Sequence, residues 1–282
     1  MKRNFIGCIV VCLTVIFTAC DKDDDVVTPP KEIVLKTNAT LGSYLTDKDN
    51  RTLYFFSNDA NGENNCPGGC ETNWPVFNVD GLDASDLGEG LSIDDFGTVT
   101  TATAKKQLTY KGWPLYYFAP GGVAEAAGQT TGEGVGGIWF VAKPDYTIML
   151  ANWQLVGSDD KKYKSDYTEG EGKTIYFTDA KGLTLYSFKN DTKNTNKFTK
   201  EDWSNNPVWP IYEQDKVVVP SVLDKSLFTS TTVFGKKQLT YKGWPLYYFG
   251  QDATTRGNNK GFTFPALKVW PVVTKDVAEA PL

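Results

Sequence analysis

Histidine is absent from this chain, and its absence removes several chemistries before any pattern is read. Neither a Ser-His-Asp nor a Cys-His nucleophile system can be assembled, and no His-ligated haem or His-type zinc site is available. Methionine is nearly absent as well: beyond the initiator there is only Met149, which excludes a Met/His copper site. Positive charge is in deficit, with 29 Lys+Arg against 34 Asp+Glu for a net charge of −5. A phosphate backbone is held by concentrated Lys and Arg, so nucleic acid is not expected as a partner. After the first 20 residues no apolar run approaches the roughly 18 residues of a spanning helix, and no long 3.6-residue periodicity occurs.

What is present begins with an address. Residues 1–20, MKRNFIGCIVVCLTVIFTAC, open with Lys2 and Arg3 and continue through an apolar stretch from Phe5 to Phe17. That stretch is about a dozen residues, short of the roughly 20 needed to cross a bilayer and right for a secretory signal. Small Thr18 and Ala19 precede Cys20, an ending that resembles a bacterial lipobox, although Phe17 stands where such boxes usually carry Leu or Val. On this reading residues 1–19 are a lipoprotein signal peptide and Cys20 carries the lipid. Cys8 and Cys12 then leave with the signal, and loss of Lys2 and Arg3 takes the net charge to −7. An uncleaved helix or an ordinary signal with an incidental Cys is the alternative. Each buried lipid methylene contributes about 0.8 kcal/mol, so several acyl chains anchor a protein without a spanning helix.

Residues 20–31 then form a tether. Asp21-Lys22-Asp23-Asp24-Asp25 is solvated and avoids anionic headgroups, and Thr28-Pro29-Pro30 adds a stiff spacer before the body of the chain. An acidic run directly after the lipidated Cys also resembles a lipoprotein surface-export signal. The expected location is therefore the outer membrane, exposed on the cell surface, with the membrane reached through lipid alone.

The body of the chain is a repeat. KKQLTYKGWPLYYF occurs at 105–118 and again, identical, at 236–249; TLYFFSND at 52–59 returns as TLYSFKND at 184–191, and NWPVF at 73–77 as VWPIY at 208–212. Each copy divides once more. Four Leu-Tyr-x-Phe segments begin at Leu53, Leu115, Leu185 and Leu246, and each is followed by a Trp: Trp74, Trp139, Trp209 and Trp270. The underlying unit, about 65 residues, is used four times.

These units read as strands. Asp47-Lys48-Asp49-Asn50 and Asp179-Ala180-Lys181-Gly182 suit a type I turn closed by a bulge, with Asn50 and Gly182 tolerating positive φ. Lys111-Gly112 and Lys242-Gly243 form the other two tips, Gly supplying the positive φ. Period-2 alternation puts Tyr and Phe of each core on one face and Leu on the other, and Ser187 at a variable position marks the Tyr/Phe face as the more deeply packed. The expected fold is all-β: two tandem β domains, 32–144 and 145–282, each built from two hairpin-plus-Trp-strand units. A single four-unit assembly resembling a four-bladed propeller is the alternative.

The combination of Tyr-x-Phe-x-x-Asp after a strand, a downstream Trp-Pro and a Gln-x-Thr-Tyr-x-Gly-x-Pro-Leu-Tyr hairpin resembles the secreted repeat lipoproteins, described as predicted lipoproteins with a Yx(F/W/Y)xxD motif. The motif falls on Tyr54, Phe56 and Asp59, on Tyr186, Phe188 and Asp191, and on Tyr247, Phe249 and Asp252. The second unit departs from it: Tyr116 and Phe118 are followed by Gly121 in place of Asp. The resemblance implies a location and a repeat architecture, not a chemistry, because the family has no settled activity.

Candidate chemistry is sparse. Cys66-Pro67-Gly68-Gly69-Cys70 suits a disulfide in an oxidising compartment, with thiolate metal ligation or a redox-active dithiol as alternatives. The second copy has Glu201 and Asn205 at the aligned positions, so the pair is dispensable for the fold. Asp59, Asn61 and Glu63 place oxygens at alternate positions as a calcium loop would, but the spacing fails at Asp191 and Asp252, and an Asp capping the loop is the commoner use. No metal site or other cofactor is assigned. Trp113 and Trp244, beside Pro at hairpin tips, are candidates for stacking on a glycan or protein, against packing on a neighbouring unit. Tyr54, Asp59, Tyr186, Asp191, Tyr247 and Asp252 are the remaining candidate binding residues. Gly132-x-Gly134-x-x-Gly137 matches a dinucleotide fingerprint but leads into a strand, Ile138-Trp139-Phe140-Val141, where a helix is needed. No carboxylate pair stands out as catalytic. The expected role is a non-enzymatic binding or scaffold module for an envelope protein or glycan, with a carboxylate-based, carbohydrate-active enzyme or a redox accessory protein as alternatives.

Overall fold

The turns form where their residues demand them. In the computed structural model, which describes residues 30–282 except Ala253, Asp47 Oδ1 accepts from the amides of Asp49 (3.0 Å) and Arg51 (2.8 Å), and Asn50 takes φ 65°. Asp179 Oδ1 does the same for Lys181 and Leu183, with Gly182 at φ 81°. At the other two tips both residues are left-handed, Lys111 and Gly112 at 50° and 79° and Lys242 and Gly243 at 49° and 83°. Positive φ is thus not confined to the glycines there; a two-residue type I′ loop needs it at both positions. The signal peptide, Cys20 and the tether up to residue 29 lie outside the described residues.

The fold is all-β. Among the described residues the thirteen short strands are β1 (Ile33–Asn38), β2 (Gly42–Asp47), β3 (Tyr54–Phe56), β4 (Phe96–Thr100), β5 (Lys106–Tyr110), β6 (Trp113–Pro114), β7 (Trp139–Val141), β8 (Met149–Val156), β9 (Lys162–Tyr163), β10 (Lys173–Thr178), β11 (Phe228–Val233), β12 (Lys236–Tyr241) and β13 (Trp244–Pro245). They make small antiparallel sheets, β1-β2, β3-β7, β4-β5-β6, β10-β8-β9 and β11-β12-β13, and none closes into a barrel. In each half the two Leu-Tyr cores meet at their tyrosines. Tyr54 and Tyr116 exchange amide–carbonyl bonds of 2.9 and 3.1 Å, and Tyr186 and Tyr247 exchange bonds of 2.8 and 2.9 Å.

Each hairpin is closed by the Trp strand of the other unit in its half. Leu45, Leu53 and Ala142 form a ring in which every amide donates to the next carbonyl, at 2.8–3.0 Å. The same ring recurs at Leu108, Leu115 and Phe77, at Phe177, Leu185 and Val273, and at Leu239, Leu246 and Tyr212. The third member always stands three residues after a Trp, and always comes from the partner unit. The first unit lends its Trp strand to the second and receives the second's in return; the third and fourth do likewise. This exchange makes the pair of units, not the single unit, the folding element.

The exchanged tryptophans stack. In the first half the rings run Phe56, Trp139, Trp74, Phe118 with centroids 3.9, 3.7 and 4.4 Å apart; in the second they run Phe188, Trp270, Trp209, Phe249 at 4.4, 3.8 and 4.5 Å. Tyr116 and Tyr247 meet Trp139 and Trp270 edge-on. Aromatic pairs of this kind contribute about 0.5–1.5 kcal/mol each beyond the area they bury. The Leu face is as deep as the Tyr/Phe face: Leu53, Leu115, Leu185 and Leu246 are all fully buried, so the expectation of one dominant face is corrected. The reason is that the leucines of both units in a half share one core while the Tyr, Phe and Trp residues share another.

Residues 31–282 cluster as one compact unit. Phe140 of the first half sits in a second-half core with Phe177 and Leu246, and Ala60 sits in the other with Ala151 and Tyr176. Arg256 crosses the joint, donating from Nη1 to the carbonyls of Lys111 (2.9 Å) and Lys181 (3.0 Å) with its guanidinium 4.4 Å from the Trp113 ring.

Candidate functional site

The motif carboxylates are exchanged in the same way as the Trp strands. Tyr116 Oη donates to Asp59 Oδ2 at 2.6 Å, Tyr186 to Asp252 at 2.5 Å and Tyr247 to Asp191 at 2.8 Å. Each Asp therefore serves the tyrosine of the other unit in its half. The second oxygen accepts a downstream amide: Asn65 for Asp59, Lys197 for Asp191 and Lys260 for Asp252. In the second unit, where Gly121 replaces the Asp, Glu125 does the work, accepting from Tyr54 Oη at 2.8 Å and from the Thr131 amide. Position 125 lies outside the motif spacing, so the sequence pattern alone misses it.

Burial dominates the electrostatics of these pairs. It pushes the Asp59 carboxyl up to about 7 against the donors Tyr116 and Asn65, and Asp191 and Asp252 up to about 6. Burial and the adjacent carboxylates raise the Tyr116 and Tyr247 hydroxyls far above their ordinary value, so they remain donors. Two glycines complete the pockets around the remaining tyrosines. The amides of Gly132 and Gly261 donate to Tyr54 and Tyr186 Oη, both at 3.2 Å, and a Cβ there would come within 2.8 and 2.9 Å of those rings. Gly132 opens the fingerprint-like run, which does end in a strand, β7; its glycine serves ring packing.

Cys66 and Cys70 are joined as a disulfide with Cα atoms 5.3 Å apart. In the second half the residue seven after the motif Asp is Phe198, not Glu201, and Asn205 Nδ2 donates to the Phe198 carbonyl at 2.6 Å. An amide hydrogen bond thus spans the loop that the disulfide spans in the first half. The oxygens of the calcium-like loop are turned to internal donors: Asn61 Oδ1 accepts from Asn65 Nδ2 and the Glu63 amide, and Glu63 Oε2 accepts from Asn61. Among the described residues no group of three or more Cys, Asp or Glu is gathered as metal ligands.

Trp113 is fully buried in the joint, its Nε1 donating to the Ala180 carbonyl. Trp244 is half-buried and donates to the Ala278 carbonyl. The candidate tyrosines and aspartates are buried too, so what reaches solvent around them is loop backbone and turn residues. Two clefts of comparable size open on the surface. One, about 520 Å³, lies along the joint beside Asp95, Lys111, Lys181 and Arg256. The other, about 480 Å³, lies between the tip of the β1-β2 hairpin and residues 217–225, and includes Lys143 and Lys225.

No curated protein and no solved structure matches the chain. Among the described residues no helix is long and apolar enough to cross a membrane. Three stretches, residues 37–78, 97–143 and 228–274, match the family model described as a secreted repeat of unknown function. They cover the first, second and fourth units from hairpin to Trp strand; the third unit shares their ring, stack and Tyr–Asp bond without a match of its own. The chain thus carries three copies of this secreted repeat of unknown function, which implies a protein of the envelope or the extracellular space.

Proposed function

We propose that the protein is a non-enzymatic scaffold of the cell envelope, held to the outer membrane by lipid on Cys20 and presenting its turns and clefts to a protein or glycan partner. The observation that supports this most is the use of the motif carboxylates. Asp59, Asp191 and Asp252 each have one oxygen on a tyrosine hydroxyl and the other on a backbone amide. A glycosidase needs two carboxylates facing one cleft about 5–10 Å apart; these are buried against the tyrosines of the aromatic cores, and none lines either of the two clefts. The disulfide at Cys66 and Cys70 favours a structural loop over the redox reading, since the second half spans the same loop without sulfur.

The anchor and the display are tested together. In cells producing the full chain, labelling with an alkyne fatty acid should depend on Cys20 and vanish in Cys20→Ser. Protease added to intact cells should remove the wild-type protein. Label retained in Cys20→Ser would end the lipid reading, and full protection from protease would end the surface reading.

A further inference from the structure

We propose that the cleft between the β1-β2 hairpin tip and residues 217–225 binds a small amphipathic carboxylate, with Lys143 as the cation that receives its head group. Lys143 is the only buried Lys or Arg among the described residues, 6% exposed. Lysines are almost never buried unless paired, and this ammonium has no hydrogen bond or ion pair among the described residues. It lies 5.1 Å from the centroid of the Tyr146 ring. No carboxylate forms an ion pair with it among the described residues: Asp145, which also lines the cleft, is paired with Lys216 at 2.6 Å, and Glu133 has Oε2 on the Val141 amide and Oε1 buried without a partner. Burial holds the ammonium below its ordinary pKa, with Lys225 adding to the depression and Glu133 and Asp145 opposing it.

The repeat itself does not call for a lysine here. The residue four after the Trp is Asn78, Glu213 and Thr274 in the other units, and none of these is buried. What differs is the cover. Residues 217–220 are laced onto the link after β7, Thr147 and Ile148 both donating to the Val218 carbonyl (2.9 and 3.2 Å) and Val218 donating back to Thr147 Oγ1 at 3.0 Å. That strap walls the cleft with Val217, Val219 and Leu223 opposite Leu41, and sets Lys225 at its rim.

A volume of about 480 Å³ falls within the range of small-molecule sites, roughly 300–1,000 Å³. The apolar wall is joined by Thr40, Ser43, Asp145 and Ser221, and a buried cation in a cleft of this mixed lining matches a monoanion with an apolar body. A phosphate would ask for a nest of free amides, but the amides of Thr40 and Leu41 at the hairpin tip are already held by Asn38 Oδ1. The site goes beyond the scaffold reading and does not depend on it, since lipid anchoring and display can hold whether or not the cleft is filled.

Octanoate is the probe, titrated calorimetrically into the full chain at neutral pH, with octan-1-ol as the uncharged control. Octanoate should bind one to one and at least about tenfold more tightly than the alcohol. Lys143→Met should weaken it about tenfold or more, Lys143→Arg should stay within about threefold, and Lys225→Met should fall between them. Saturating octanoate should also slow acetylation of Lys143 in the wild-type chain about tenfold, read by peptide mass spectrometry. Equal binding of acid and alcohol, unchanged affinity in Lys143→Met, or acetylation indifferent to octanoate would each overturn the proposal. If Lys143→Met fails to fold, the Arg variant and the protection of the wild-type lysine decide it.

Discussion

At the scale of single residues, the protein is organised by buried hydroxyl–carboxylate pairs. A carboxyl whose folded pKa lies above the ordinary value of 3.8 keeps its proton in the folded chain after the unfolded chain has released it. Its contribution to stability is therefore complete below about pH 4 and declines as pH rises through 6 to 7, where Asp191, Asp252 and then Asp59 ionise inside the fold. Thermal midpoints should fall between about pH 4.5 and pH 7.5. In the triple variant Asp59→Asn, Asp191→Asn, Asp252→Asn, which keeps shape and removes the titration, that decline should flatten. A wild-type midpoint that climbs over the same interval would contradict the burial argument. Exposed carboxylates such as Asp83 and Asp224, whose pKa values are lowered by neighbouring serines, pull the other way but weakly, being screened by solvent.

At the scale of elements, the loops between hairpin and Trp strand in the first and third units show one task done with different chemistry. The disulfide of the first half closes five residues, and in the chain-entropy account a loop that short is stabilised by about 2 kcal/mol. Cys66→Ala with Cys70→Ala should cost about that much in urea unfolding while leaving the near-ultraviolet signal of the stacked tryptophans in place. Collapse of that signal would mean that the disulfide holds the stack itself. Hairpins and turns were legible in the sequence because their causes are local: Asp47 and Asp179 hold amides two and four residues on, and Asn50 and Gly182 take the positive φ. The exchange was not legible. Tyr116 reaches Asp59, but a motif repeated in every unit is equally consistent with each tyrosine using its own unit's Asp. Glu125 and Lys143 escaped for a related reason: their roles are set by residues far along the chain, Tyr54 and the strap at 217–225.

At the scale of the whole molecule, the two halves share cores through Phe140 and Ala60, and the joint is threaded by a cation. Burial lowers the Arg256 guanidinium to about 10, offset in part by Asp179 and Asp59. Gly112 and Gly182 leave the room it occupies; a Cβ at Gly112 would come within 2.5 Å of Nη1. Because the cores are shared, the chain should melt in one calorimetric transition whose calorimetric and van't Hoff enthalpies agree. Two resolved transitions would mean that the halves are thermodynamically independent despite their contacts.

The reciprocal loan of Trp strands bears on how such chains can grow. A unit inserted or deleted alone leaves one hairpin without its third edge and one tryptophan without its stacking mate. Units must therefore be gained and lost two at a time, and the identical segments at 105–118 and 236–249 are spaced as duplication of a whole pair would leave them. A chain holding an odd number of units would have to complete its unfinished hairpin with a strand from another molecule, so the parity of the repeat sets whether the protein is self-sufficient.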